Sequence, residues 1–484
     1  VANPRVARAD YEALLAAGVE PPPSILEPLL VVLGASRALA RGILAGGAEA
    51  IAYLAGALDR GLVTVPEHVQ ALELEIGADY GRADLPAILR RFKRREILRI
   101  GARDLAGRAP VDETMRELSS LAEAAVEIAV RHARARALAQ FGAFASGERF
   151  RFVVLAMGKL GGGELNYSSD IDLVYLYRGG DGESAGGTKG PTDAGAVAAR
   201  VSEIVTRTLG EMTEDGNVFR VDLRLRPEGQ NGPIVNSFES ALTYYESWGQ
   251  TWERAAMLKA RPVGGDLELG EEFLGEMEPF VYRRYLDFET IEEIQAMKAR
   301  VDVAQKAERL ARDVKLGPGG IREVEFVVQV LQLVHGGRDR RLRRRSTLET
   351  LAVASGVGLL ERDEAERLAA AYRFLRDVEH KIQIDEERQT QLIPSDPDGE
   401  RELASRLRIG RSASEPAAPR VEVSRFRTAL DAHRGVVRRS FERIFRGARR
   451  SLDGESESEA RKLFEAADDP AMAPQLRAIG FRDV

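Results

Sequence analysis

The chain contains no cysteine. Structural disulfides and thiolate metal centres are therefore excluded, and the absence agrees with an expected cytoplasmic location. Only five histidines occur in 484 residues, which speaks against an imidazole-rich zinc site. Any metal is expected to be a hard cation held by oxygen ligands. There is no excess of positive charge either: 70 Lys and Arg face 76 Asp and Glu, a formal net charge of −6. No nucleic-acid partner is expected from that balance. Long uninterrupted apolar runs are also missing. The most apolar stretch, 29–58, is broken by Arg37, Arg41 and Glu49, so it reads as buried helices and no membrane partner is expected. No basic segment followed by an apolar run opens the chain at Val1, so no signal peptide is expected. A first residue other than Met, and a tail stopping at Val484, fit a piece of a longer polypeptide. There is no short-period repeat. What remains, 44% apolar and 30% charged residues, is the balance of a globular chain able to bury a core. Its length suggests more than one domain.

Residues 1–145 carry apolar residues at three- and four-residue spacing and predict a helical region, punctuated by Pro21 to Pro23 and Gly46-Gly47. The character changes over 146–265. Three β-rich runs occur there, RFVVLA (151–156), IDLVYLY (171–177) and VFRVDLRL (218–225). The Gly/Ser/Thr-rich stretch 179–190 is expected to be a mobile loop, and a helix is expected over 193–212. Strands separated by a helix predict a small mixed sheet, so the fold class is α+β, mostly helical overall. From about Ser237 onward the pattern is helical again, 266–450 is expected to form a helical bundle domain, and 451–484 reads as the start of a linker or central region. Long helices are expected over 237–260, 287–312, 321–335, 361–390 and 421–447, with a loop over 408–419.

Asp170 and Asp172 stand two apart at the start of the second β run, so both carboxylates belong to one strand face. Adjacent carboxylates repel unless one is protonated or a cation lies between them. Asp222 sits inside the third β run, where a neighbouring strand brings it beside the pair. Three carboxylates suit two divalent ions that clamp the attacking and leaving oxygens of an in-line displacement. A lone Asp-x-Asp is common and says little. Here the turn Gly158-Lys159-Leu160-Gly161-Gly162-Gly163 and the pair Ser168-Ser169 precede it. Backbone amides of Gly161 and Gly162 and the two serine hydroxyls are expected to approach phosphate. Arg224 and Arg226 follow Asp222 at alternate positions and are expected to meet phosphate oxygens, as is Lys159, for which a plain surface charge is an equal alternative.

These residues lie in strings that resemble the bacterial glutamine synthetase adenylyltransferase/adenylyl-removing enzymes. The strings are AMGKLGGGELNYSSDIDLVYLY (156–177), DGNVFRVDLRLRPEGQNGPIVNSFESALTYYE (215–246) and WERAAMLKARPVGGD (252–266). FVYRRYLDF (280–288), KLGPGGIREVEFVVQVLQLVHGGRD (315–339) and DEERQTQLIPSD (385–396) extend the likeness. That family joins two nucleotidyltransferase-like halves, one removing AMP from a tyrosine of glutamine synthetase by phosphorolysis and one attaching it from ATP. GGGELNYSSD and WERAAMLKAR are similar to the removing half; Tyr167 stands where Phe is frequent. The resemblance implies that Asp170, Asp172 and Asp222 hold magnesium, as two ions, with manganese as a substitute. It implies glutamine synthetase as protein substrate, inorganic phosphate and ADP or ATP as small partners, and a PII-type signalling protein as a further partner. The opposite reaction, adenylyl transfer from ATP, shares this core. A non-catalytic scaffold binding glutamine synthetase or a PII protein is the reading of another class, against which the intact carboxylates argue.

The same block match raises Trp252, Glu253, Arg254 and Lys259, with Arg261, to candidates for the site wall, although Trp252 packing under the sheet is the plainer expectation. Arg322, Glu323 and Glu325 follow Gly319-Gly320 at a helix start, where the helix dipole alone accounts for acidic residues, and the block match of KLGPGGIREVEF makes Arg322 and Glu325 further candidates for the site wall. The basic run RDRRLRRR (338–345) reads as a solvated helix end or as a surface for an acidic partner. His335 and His380 are expected to be structural or exposed.

Overall fold

The computed structural model describes residues 1–144, 150–179, 182–283, 307–409 and 419–467. Six helices come first: α1 (Pro4–Ala16), α2 (Leu26–Leu33), α3 (Arg37–Ala57), α4 (Val65–Ile76), α5 (Leu85–Leu105) and α6 (Val111–Phe141). Their ends follow local chemistry. Asn3 and Ser36 accept from the third residue of α1 and of α3, and Thr64 with Glu67 forms a capping box on α4. Helix α3 is long and apolar enough to cross a membrane by length and composition alone. Its apolar character comes largely from Ala and Gly. It lays Leu39, Ile43, Ile51 and Leu54 into the core, so the 29–58 expectation holds fully for α2 and for one face of α3.

A five-stranded mixed sheet follows. Strands β1 (Arg151–Ala156) and β2 (Ile171–Arg178) are the long ones, β3 (Val221–Asp222) and β4 (Asn236–Ser237) pair parallel to β2, and β5 (Arg261–Gly265) pairs antiparallel to β1. Between β1 and β2 lies the one-turn helix α7 (Gly158–Gly161), and between β2 and β3 lies α8 (Ala194–Gly210). The fold class is α+β, as expected. The third β run shrinks to two residues because Leu223 onward turns away. β5 was read as helix continuing from 237–260. The expected helix is in fact α9 (Phe238–Trp248) and α10 (Thr251–Met257), with β5 after them.

Every residue of β1 from Phe152 to Ala156 is buried, which is why the run reads as continuously apolar. Its side chains alternate nonetheless. Phe152, Val154 and Ala156 join a core with α6 and α8, while Val153 and Leu155 join a second core with the later helices. β2 does the same, with Ile171, Leu173 and Tyr175 on the first face and Val174 and Leu176 on the second. Even-numbered positions of β2, Asp172 among them, therefore look toward the C-terminal helical layer.

That layer begins with α11 (Leu267–Glu276) and α12 (Glu278–Val281). It continues with α13 (Ala307–Arg312), α14 (Ile321–His335), α15 (Thr347–Gly356), α16 (Arg362–Gln383), α17 (Pro397–Leu407) and α18 (Pro419–Ala467). Most of the helix expected over 287–312 and of the loop expected over 408–419 lies outside the described residues. The stretch expected to be a mobile loop is tied down in its described part. Amides of Gly186 and Lys189 donate to carbonyls at the end of α6, that of Ala185 donates to the Ala143 carbonyl just after it, and Ser184 bridges to Phe144. The basic run is largely spent within the molecule: Arg340 and Arg343 pair with Glu278, Arg341 with Asp339, and Arg345 with Glu271.

The sheet and the C-terminal layer are joined by a buried ionic knot. Glu164, 3% exposed, accepts from Lys259 Nζ at 2.7 Å and from the Thr347 amide at 2.6 Å, and Arg376 donates to its carbonyl at 2.5 Å. Breaking a buried pair leaves an uncompensated charge, a loss of about 3–5 kcal/mol. Glu164→Ala is thus expected to lower the unfolding free energy by about 3 kcal/mol or more in urea titrations. A loss below about 1 kcal/mol would show that the knot does not hold the two layers together.

Candidate functional site

The site forms where β1 ends and β2 begins. The Met157 amide donates to the Asp172 carbonyl at 2.8 Å, extending the β1–β2 ladder by one residue. The chain then turns through Gly158 at φ +54°, a region costly for residues with a side chain. A Cβ at Gly158 would stand 2.7 Å from Asp172 Oδ2. Glycine is therefore required there twice, by its backbone angle and by the approach of the carboxylate.

On the other side of Asp172 the parallel pairing of β2 with β3 sets Ile171 opposite Val221 and Asp172 opposite Asp222. Two carboxylates face each other in a partly buried setting. Burial first, and then Asp222, pushes the Asp172 carboxyl up to about 6, with Lys159 and Lys315 opposing. Asp222 is held below the usual carboxylate range by Arg224, whose amide donates to Oδ1 at 2.8 Å and whose guanidinium grips both oxygens. Arg224 itself remains 68% exposed, so an incoming anion can engage it.

Asp170 behaves differently from expectation. It precedes β2, and both its oxygens are taken: Arg220 Nε donates to Oδ1 at 2.6 Å and Gln389 Nε2 to Oδ2 at 3.0 Å. Among the described residues no three acidic or histidine side chains gather closely enough to hold an ion together. The expected convergence of three carboxylates is thus realised for Asp172 and Asp222 only. That pair offers only oxygen donors, which fits a hard divalent cation.

The cationic side of the site comes from Lys159 and Lys315. Lys159 follows Gly158, and its Nζ lies 3.8 Å from Glu379. Burial pulls the Lys159 ammonium down to about 8 against the pull of Glu379. Glu379, although wholly buried, is held down to about 2 because Lys159 and Arg376 outweigh its desolvation. Lys159 is therefore a half-buried, ion-paired group, and the reading as a plain surface charge is set aside.

Several expected phosphate contacts are committed elsewhere. The Gly161 amide donates to Met157 and the Gly162 amide to Gly158, both within the turn. Gly161 serves close packing, since a Cβ there would lie 2.0 Å from the Lys259 carbonyl oxygen. Ser168 is buried, with its amide on Gln383 and its hydroxyl on the Glu387 carbonyl. Ser169 stays half-exposed beside it. Arg226 donates to the carbonyls of Leu223, Gln230, Gly232 and Pro233, so it shapes the loop after β3.

The expected site wall divides likewise. Arg254 is 2% exposed and donates to the carbonyls of Phe280 and Val281. Glu253 caps α10 through the Gln250 amide and accepts from Tyr244. Lys259 belongs to the Glu164 knot, with Glu325 3.7 Å away. Glu325 is held low although burial alone would raise it, because Lys259, Lys315 and Lys159 surround it. Glu325 therefore borders the site through this charge cluster. Arg322 is half-buried, its amide on the Lys315 carbonyl. Trp252 is 40% exposed, so it does not pack under the sheet. His380 is fully buried against Tyr167, as a structural residue would be.

Lys315, Arg220, Glu379 and Gln389 are site residues that sequence reasoning passed over, and Gly158 was named only as the start of the glycine turn. Gly158, Lys315 and Arg220 lie inside quoted strings, and Gln389 lies in DEERQTQLIPSD. Glu379 sits on an ordinary amphipathic helix and carried no signal.

A family model described as glutamate–ammonia ligase adenylyltransferase matches residues 27–276, and one described as PII-uridylyltransferase matches 290–445. Curated relatives named bifunctional glutamine synthetase adenylyltransferase/adenylyl-removing enzyme match as well. The one from Pseudomonas aeruginosa is 48% identical over 64% of this chain and 32% of its own length. That from Nitrosococcus oceani is 40% identical over 82% and 40%, and that from Streptomyces coelicolor 38% identical over 94% and 42%. The chain thus spans less than half the length of these relatives.

A carboxyl raised by folding binds its proton more tightly in the native state, so stability falls as pH climbs from the unfolded value of about 4 to about 6. In EDTA, Asp172→Asn is expected to be more stable than the parent by about 1–3 kcal/mol at pH 8. The difference should vanish near pH 4. Thermal unfolding across that range checks it, and a less stable variant at pH 8 would contradict the arrangement.

Proposed function

The chain belongs to the glutamate–ammonia ligase adenylyltransferase family, whose model covers more than half of it, and from that membership we propose that it removes AMP from glutamine synthetase by phosphorolysis. Adenylyl-tyrosine and inorganic phosphate are the reactants. An oxygen of inorganic phosphate bonds to the α-phosphorus of adenylyl-tyrosine while the bond to the phenolic oxygen breaks. The products are ADP and the phenolate, which takes a proton from solvent. The observation that carries the reading is the Asp172–Asp222 pair at matched positions of β2 and β3, with Lys159 and Lys315 acting on Asp172.

Asp172 and Asp222 would hold magnesium, or manganese in its place; when bound, the ion neutralises charge on the reacting phosphoryl group and on the leaving oxygen. The residues of the chain do the rest. Arg224, exposed and already beside Asp222, exchanges that partner for a phosphoryl oxygen. Lys159 keeps a positive charge fixed next to Asp172 through Glu379. Gly158 lets the backbone pass close to the carboxylate without displacing it. Chemistry of this kind needs positioning and charge neutralisation more than a covalent nucleophile.

The strings GGGELNYSSD and WERAAMLKAR support removal as the direction. Adenylyl transfer from ATP is the second reading, because the relatives' printed name covers both activities. The match to the PII-uridylyltransferase model over 290–445 supports a PII-type protein as a regulatory partner of the helical layer.

The test is an assay of the purified chain with adenylylated glutamine synthetase, phosphate and Mg²⁺, with ADP followed directly. ADP formation is expected, and Asp172→Asn and Asp222→Asn should each lower it by on the order of 10²–10³. No ADP, together with AMP transfer from ATP to unmodified glutamine synthetase, would replace the reading with its alternative.

A further inference from the structure

Asp170 has the strand parity of Asp172, yet its carboxylate is held by Arg220 and Gln389. Arg220 is not saturated by this contact. Its Nη2 donates to the Ser168 carbonyl at 2.6 Å, and its Nη1 has no partner among the described residues. Beyond Arg220 lies a cavity of about 290 Å³, lined in part by Arg90, Lys93, Arg94, Ser169 and Phe219.

The charges around that cavity are unequally committed. Arg94 is paired with Asp215, and Glu386 is paired with Arg37 and Arg388. Glu387, on the rim, is exposed. Lys93 lies 6.0 Å from the Phe219 ring centroid and has no ion pair among the described residues. Arg90 is 6% exposed, spends Nη2 on the Glu211 carbonyl at 3.2 Å, and keeps a buried Nε with no hydrogen-bond partner. Arg90, Lys93 and the unpaired edge of Arg220 thus line one space. Such a donor set suits a compact tetrahedral oxyanion.

We propose that this cavity is a subsite for an oxyanion of the phosphate class, and that its occupant draws Arg220 from Asp170 and releases that carboxylate toward Asp172 and Asp222. The inference rests on the reading that these carboxylates hold a divalent cation. An anion beside Arg220 shares the guanidinium charge that now neutralises Asp170, and it repels the Asp170 carboxylate. The carboxylate then gains most by turning to the cation site. Linkage makes the effect mutual, so the oxyanion tightens cation binding and the cation tightens oxyanion binding. Two sources share this chemistry, free inorganic phosphate and the phosphoryl group of a nucleotide.

Binding of Mn²⁺ to the full chain, followed by the loss of the free-ion electron paramagnetic resonance signal, tests this without reading activity. Inorganic phosphate is expected to raise Mn²⁺ affinity about tenfold in the parent. Lys93→Gln should keep the phosphate-free affinity and lose the rise. Arg220→Gln should bind Mn²⁺ without phosphate as tightly as the parent does with it. AMP in place of phosphate distinguishes the sources: a rise with AMP alone assigns the cavity to a nucleotide phosphoryl group, and a rise with phosphate assigns it to the free anion. Equal enhancement in the parent and both variants would mean that phosphate rides on the metal, and would overturn the proposal. So would no enhancement by either anion in a parent that binds Mn²⁺. No Mn²⁺ binding at all would instead overturn the cation reading beneath it.

Discussion

Everything at the site depends on one pairing, the parallel register that sets Asp172 of β2 opposite Asp222 of β3. Two residues of β3 suffice. A shift by one would turn Asp222 to the other face of the sheet, into the core shared by α6 and α8. The pairing forces like charges together in a partly buried place, which is unfavourable by itself and shows in the raised Asp172 carboxyl. A fold that keeps such a contact stores an affinity for cations there. Stability is given up locally where function needs it.

The surroundings explain how the fold tolerates the strain. Gly158 gives Asp172 room on one side, and Lys159 and Lys315 oppose its charge on the other. Lys159 is itself held by Glu379 from α16, so the C-terminal helices take part in the electrostatics of the sheet. The Glu164–Lys259–Thr347 knot fixes the distance between the two layers. The helical layer is thus a working part of the site.

Much of this was legible in the sequence. The β-rich runs 151–156 and 171–177 placed the two long strands, and Asp172 and Asp222 were marked as carboxylates that neighbouring strands bring together. What was not legible has physical causes. β5 follows α10 with almost no break, and its Pro and Gly hide a strand whose register comes only from β1. The committed partners of Arg226, of Arg254 toward Phe280 and of the Ser168 hydroxyl are main-chain carbonyls, which no side-chain pattern reveals. Gly161 looked like a phosphate glycine and proved to be a packing glycine, because the Lys259 carbonyl meets it from more than ninety residues away. Asp170 was expected on the face of Asp172, but it precedes β2 and its partners Arg220 and Gln389 come from distant segments.

The central claim is that the Asp172–Asp222 pair is a cation site. Anomalous scattering from crystals of the chain grown with Mn²⁺ tests it most directly. The account predicts an anomalous peak bounded by the carboxylates of Asp172 and Asp222. A bound ion located elsewhere, with that pair left to Arg224 and Lys159, would contradict it.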